Sequence, residues 1–235
     1  MVSWFNLFKK NWWEALDEKY YGIKFLINLL VCYAIYMYVT HMLVENRFRE
    51  GVILCDPIQQ LFKPMNFSLP IFLITYSCIV SYIIYIIPRP RDFYVTTRAF
   101  LVVFLLRYSF IYLVPLAPPK DMIALNDPVL DWIVGHNHEI FNDLFFSGHV
   151  ADICIFFFCC RSVTLRAYYL GCIICVAVLL VWQHVHYTAD VCGAPFFAFA
   201  SYFVFARQRY KVPVNETVTA SAVVQPVNEE VTVGK

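Results

Sequence analysis

The chain has 235 residues, 60% of them hydrophobic and 18% aromatic, with a mean hydropathy of +0.61 and a net charge of +1. That composition excludes an ordinary soluble globular domain and implies an all-α polytopic membrane protein, while the near-neutral charge, with no basic face, excludes a nucleic-acid partner. Of the nine cysteines, Cys32, Cys78, Cys154, Cys172, Cys175 and Cys192 fall inside apolar runs, where a thiol is a small buried hydrophobe rather than a disulfide or metal ligand.

Residues 1–21 set Trp4, Phe5, Phe8, Trp12 and Trp13 among Lys9, Lys10, Glu14, Asp17, Glu18 and Lys19. This reads as an amphipathic interfacial segment whose indoles anchor at headgroup depth. Six apolar runs follow, at 22–44, 67–87, 99–117, 144–160, 167–183 and 191–206. They predict a six-transmembrane-helix bundle over 22–206 as one catalytic domain, several runs being close to the lower limit of about 17 residues for a crossing. Residues 207–235, rich in Val, Thr, Asn and Glu with no periodic apolar face, read as a disordered tail.

Lysine and arginine gather on alternate connections: Lys9, Lys10 and Lys19, then Arg89, Arg91 and Arg98, then Arg161 and Arg166, then Arg207, Arg209 and Lys211. The positive-inside rule therefore puts both termini in the cytosol and the remaining connections in the lumen or outside the cell. The sequon Asn215-Glu216-Thr217 then lies on the wrong side for glycosylation.

The chemistry lies between Phe145 and Val191. Phe146-Ser147-Gly148-His149 opens one hydrophobic run, and His186-Tyr187-Thr188-Ala189-Asp190 follows the return run. An antiparallel helix pair brings both motifs to one membrane boundary, where two imidazoles and a carboxylate are costly unless they serve a site. If 186–190 is helical, Asp190 faces the His186 ring, holds one nitrogen and leaves the other free as nucleophile. His149 is then the candidate acid. Ser147 and Gly148, where a helix would begin, offer backbone N–H groups to an anionic oxygen. Together these parts point to phosphoryl transfer.

Other polar residues have competing readings. Arg107, mid-run in the third span, either clamps phosphate or pairs with a bundle carboxylate such as Asp152. Tyr112, Trp182 and Tyr187 either line a quaternary-ammonium site or form part of an aromatic belt. His184 reads as an interfacial residue, and His136-x-His138-Glu139 as a solvated connection rather than a metal site.

The two motifs resemble the paired signatures of the sphingomyelin synthase family, within the type 2 phosphatidic acid phosphatase superfamily. Asp143, four residues before Ser147, matches the acidic residue of that family's Cys-Gly-Asp element, and Arg107 to Pro119 resembles its Tyr-x-x-Arg to Leu-Pro run. Ser147 to Ala151 is also similar to the plant phosphatidylcholine:diacylglycerol cholinephosphotransferases. The resemblance covers roughly Arg89 to Phe205.

It implies catalysis by His149, His186 and Asp190, substrate contacts from Ser147, Gly148, Arg107, Asp143 and Tyr187, and neither metal nor cofactor. The implied partners are a membrane phospholipid donor and a lipid alcohol acceptor, ceramide or diacylglycerol, with phosphocholine as the group moved, in the Golgi or plasma membrane. The superfamily's lipid phosphate phosphatases carry a Lys-x6-Arg-Pro element and an Arg six residues before the second histidine. Here Tyr82 and Leu180 stand at those positions. A phosphomonoester brings close to two negative charges and needs several cations, so their loss favours a phosphodiester and a transferase. The alternatives are a lipid phosphate phosphatase and a non-enzymatic scaffold or scramblase.

Overall fold

A computed structural model describes residues 4–46, 50–127 and 144–209. Asp143, the His136 to Glu139 group and the tail from 210 onward lie outside the described residues. Within them the chain forms seven α-helices: α1 (Trp4–Asp17), α2 (Tyr21–Asn46), α3 (Ser68–Ile86), α4 (Pro90–Leu113), α5 (Gly148–Cys159), α6 (Val163–Trp182) and α7 (Thr188–Arg209). The described β structure is one isolated bridge, between Val52 and Leu116.

Five of the helices, α2, α3, α4, α6 and α7, are long and apolar enough to cross a membrane, which makes this a multi-pass membrane protein. The run at 144–160, expected to be a full crossing, is helical only over the 12 residues of α5, about 18 Å at 1.5 Å per residue. Extended backbone at Ser147 and Cys160 bounds it at either end. Its side chains explain why a short helix suffices: Val150, Ala151, Ile153, Cys154, Ile155, Phe156 and Cys159 are buried around its whole circumference. It sits inside a ring of α3, α4, α6 and α7 rather than against lipid.

Other boundaries move for local reasons. Helix α4 starts at Pro90, nine residues ahead of the expected run, because proline suits the first helical position and Asp92 favours the positive first turn. The connection bearing Arg89 thereby shrinks, and Arg91 and Arg98 become helical. Asp92, 5% exposed, bonds the Arg161 guanidinium at 2.9 Å and so ties α4 to the α5–α6 corner. There Ser162 caps α6 by accepting from Leu165 N–H.

Helix α1 lies across that same end. Trp12 Nε1 donates to Ile87 O at 2.8 Å and Asn11 Nδ2 to Pro88 O at 2.7 Å, while Trp4, Phe5 and Trp13 stay exposed. Tyr20, with φ 69°, turns the chain from α1 into α2. Helix α2 is peripheral, held to α4 by Asn28 Nδ2 donating to Thr97 Oγ1 at 2.6 Å.

Candidate functional site

At the opposite end the starts of α3, α5 and α7 meet the ends of α4 and α6 under two loops, 50–66 and 114–127. Ser147 is the extended N-cap residue of α5, and its N–H donates to Asp190 O, 3.2 Å away. One hydrogen bond therefore joins the Ser-Gly-His motif to the His186–Asp190 motif.

His186 precedes α7 instead of lying in it. Helix α6 ends in a Schellman turn: His184 N–H bonds Val181 O and Val185 N–H bonds Leu180 O, each at 3.1 Å, with His184 left-handed at φ 59°. The chain reverses over five residues and α7 begins at Thr188. Asp190 then reaches back, its Oδ2 accepting Tyr187 N–H at 3.2 Å, as the third helical residue does in a capping box. The same oxygen lies 3.5 Å from His186 Nδ1, both side chains being at most 5% exposed. The contact attracts an imidazolium but is not aligned as a hydrogen bond, and Nδ1 has no hydrogen-bond partner. The two side chains are therefore adjacent through a cap turn rather than a helix face, and without the hydrogen bond expected between them.

Arg107 projects from α4 to the start of α5 and is 6% exposed. Its guanidinium lies so close to Gly148 that a Cβ there would stand 2.8 Å from Cζ and closer still to Nη1. A larger residue there would have to displace the guanidinium. Arg107 Cζ also lies 5.9 Å from the buried Phe146 ring. The guanidinium thus stands at the positive end of a helix. His149, the second residue of α5, is partly buried with its ring edge-to-face on Phe72, centroids 5.5 Å apart.

Tyr187 is 1% exposed and serves as a peg. Its hydroxyl donates to Ala117 O at 2.9 Å and accepts Leu54 N–H at 3.1 Å, pinning both loops to the motif. Burial raises its pKa, so the phenol stays a donor. The loops are themselves joined by Val52 N–H to Pro115 O and Ala117 N–H to Val52 O, each at 3.0 Å. Gly51 permits this approach, since a Cβ there would sit 2.7 Å or less from the Leu116 backbone.

Four further residues that sequence reasoning missed support the site, three of them at the turn. Asp56 accepts Thr188 N–H at 2.6 Å and the Thr188 hydroxyl at 3.1 Å, so a second carboxylate covers the start of α7. Burial alone would raise its pKa, but the bonds from Thr188, Gln59 and Ile58 outweigh burial and hold it below the usual carboxylate value. Gln59 Nε2 donates to His186 O at 2.9 Å. Gln183, fully buried, accepts Phe67 N–H at 2.7 Å and donates to Ser68 Oγ, Ile123 O and Ala124 O. Phe72 supports His149. An Asp-Pro turn at Asp56 is visible in the sequence, but none of the four carries a signal of what it docks against.

Among the described residues, three buried side-chain atoms lack a hydrogen-bond partner: Ser147 Oγ, His184 Nε2 and His186 Nδ1. Two lie in the motifs and the third, His184, lies two residues ahead of the second. Buried polar atoms are normally paired, so their concentration at this end of the bundle sets it apart. Compared with known protein families and with curated proteins, the chain matches none.

The geometry brings Ser147, Gly148, Arg107, His186 and Asp190 into one assembly, with His149 at its edge. It directs the Tyr187 hydroxyl to backbone, packs Trp182 against Phe62 and Phe67, and leaves Tyr112 exposed. Among the described residues no group of three His, Cys, Asp or Glu side chains could hold a metal ion.

Proposed function

We propose that this protein transfers a phospholipid headgroup to a lipid alcohol through a phosphohistidine. The observation that carries the reading is the Arg107 guanidinium against Gly148, one backbone hydrogen bond away from the His186–Asp190 turn. The reading assigns cation, helix start and imidazole to one anionic phosphorus centre.

In the reaction, His186 Nε2 attacks phosphorus while Asp190 stabilises the ring through Nδ1. The N–P bond forms as the P–O bond to diacylglycerol breaks, and His149 gives its proton to the departing oxygen. A lipid alcohol then enters, loses its proton to His149 and bonds phosphorus as the N–P bond breaks. Arg107 and the start of α5 hold the non-bridging oxygens throughout. One buried guanidinium suits the single charge of a phosphodiester, and the motif resemblance to the sphingomyelin synthase family favours phosphocholine as the group and ceramide or diacylglycerol as acceptor.

In the same proposal α5 completes a sixth crossing. Its non-helical flanks are tolerable at membrane depth because Leu144, Phe146, Ser147 and Cys160 are buried in protein. Both termini are then cytosolic and the site opens to the lumen or cell exterior.

The test is the purified protein in liposomes with choline-labelled phosphatidylcholine, offered ceramide, diacylglycerol or water, followed by lipid chromatography. The expected result is labelled product with one alcohol acceptor, abolished by His186→Ala in a folded variant. Release of inorganic phosphate from phosphatidic acid would select the phosphatase instead. Transfer that persists without His186 would remove the proposal.

A further inference from the structure

The residue that ends α6 has no part in the reaction above, and its conformation is costly. The Schellman turn demands a left-handed residue at position 184, where glycine or asparagine is the usual occupant. This chain has histidine there, at φ 59°, 7% exposed, with Nε2 buried and lacking a hydrogen-bond partner. Backbone strain and an orphaned buried nitrogen thus coincide on one side chain. Neither stabilises the fold, and glycine would relieve both.

His184 is two residues from His186 and adjacent to Gln183, whose four side-chain hydrogen bonds lock the turn to α3 and to the loop above it. The imidazole is therefore held rigidly in the turn that carries the nucleophile. Ser147 Oγ, across the joint made by Ser147 N–H and Asp190 O, is orphaned too.

We infer that His184 is a substrate-binding residue whose Nε2–H donates to a non-bridging phosphate oxygen of the donor headgroup. The assignment rests on the phosphotransfer reading and extends it: an imidazole N–H donor two residues from His186 adds a hydrogen bond to the phosphate beyond those of Arg107 and the start of α5. A phosphate-bearing headgroup offers this N–H charged oxygen acceptors, whereas choline offers only a neutral hydroxyl.

The experiment compares wild type with His184→Gly and His184→Asn, both suited to a left-handed position, in the liposome transfer assay and in thermal unfolding. Losing a hydrogen bond to a charged group should raise KM for the donor lipid roughly tenfold or more, with a smaller change in kcat. Tm should hold or rise, most for the glycine variant. A purely structural histidine would leave KM where it is, and that result in a folded variant overturns the inference.

A second arm does not depend on turnover. Wild-type and His186→Ala protein, labelled with 15N-histidine in nanodiscs, are titrated with phosphocholine and with choline. A shift of the His184 Nε2 resonance with phosphocholine but not with choline supports the inference even where transfer is absent and the transferase reading has failed. No shift, or an equal shift with choline, overturns it even where transfer is robust.

Discussion

Replacing Gly148 by alanine adds one carbon and tests whether the Arg107 guanidinium is part of the reaction. The new Cβ would lie 2.8 Å from Arg107 Cζ. Carbon atoms rest at about 3.5–4.0 Å, so the guanidinium must retreat by about 1 Å. It is 6% exposed and packed near Phe146, so the retreat carries it away from the start of α5. A displacement of that size at a positioning group costs about 100-fold in rate, equivalent to about 2.7 kcal/mol at 1.36 kcal/mol per tenfold. The matched control is Gly171→Ala: nothing lies within 4 Å of a Cβ there, and it sits mid-helix in α6. That change should stabilise by up to about 1 kcal/mol and leave transfer unaltered. The assay is headgroup transfer in liposomes at saturating acceptor, with Tm measured on the same preparations. A folded Gly148→Ala protein with transfer within twofold of wild type would refute the argument that Arg107 acts through its position beside Gly148.

Three further substitutions probe the scaffold of the site. Tyr187→Phe strips the donor from Ala117 O and the acceptor from Leu54 N–H, which should destabilise by about 2–4 kcal/mol and raise hydrogen exchange selectively at 52–54 and 115–117. Gln183→Leu leaves Phe67 N–H and the carbonyls of Ile123 and Ala124 without their partner; a loss of about 3 kcal/mol is expected by denaturant unfolding. Asp56→Asn removes a charged cap from α7 and should cost about 1 kcal/mol near neutral pH. Because the folded Asp56 pKa is depressed, its contribution is present above the unfolded value of about 3.9 and lost as pH falls through the folded value. The stability gap between wild type and this variant should therefore be level above about pH 5 and close below about pH 4; a gap that widens in acid would contradict it.

The membrane class, the positions of the long hydrophobic helices and the two motifs that meet were all legible in the chain, because bilayer thickness imposes run length and because polar residues beside hydrocarbon are conspicuous. Less legible was everything decided by what lies opposite. That the run at 144–160 yields only the short α5 depends on its enclosure by four neighbours, which no local pattern encodes. The His186–Asp190 spacing was readable, yet it works through a helix cap whose register is set by the Schellman turn at His184 and by Asp56 from a remote loop. Tyr187, equally plausible in sequence as a wall of the site, has its hydroxyl committed to Ala117 and Leu54. By itself, then, the sequence determined the solvent and the chemical inventory, since these follow from composition and spacing along one chain. Only the tertiary structure decided which cation stands beside which helix end and which buried atoms are left without partners, because hydrogen bonds and close contacts between distant segments depend on distances that spacing along the chain does not set.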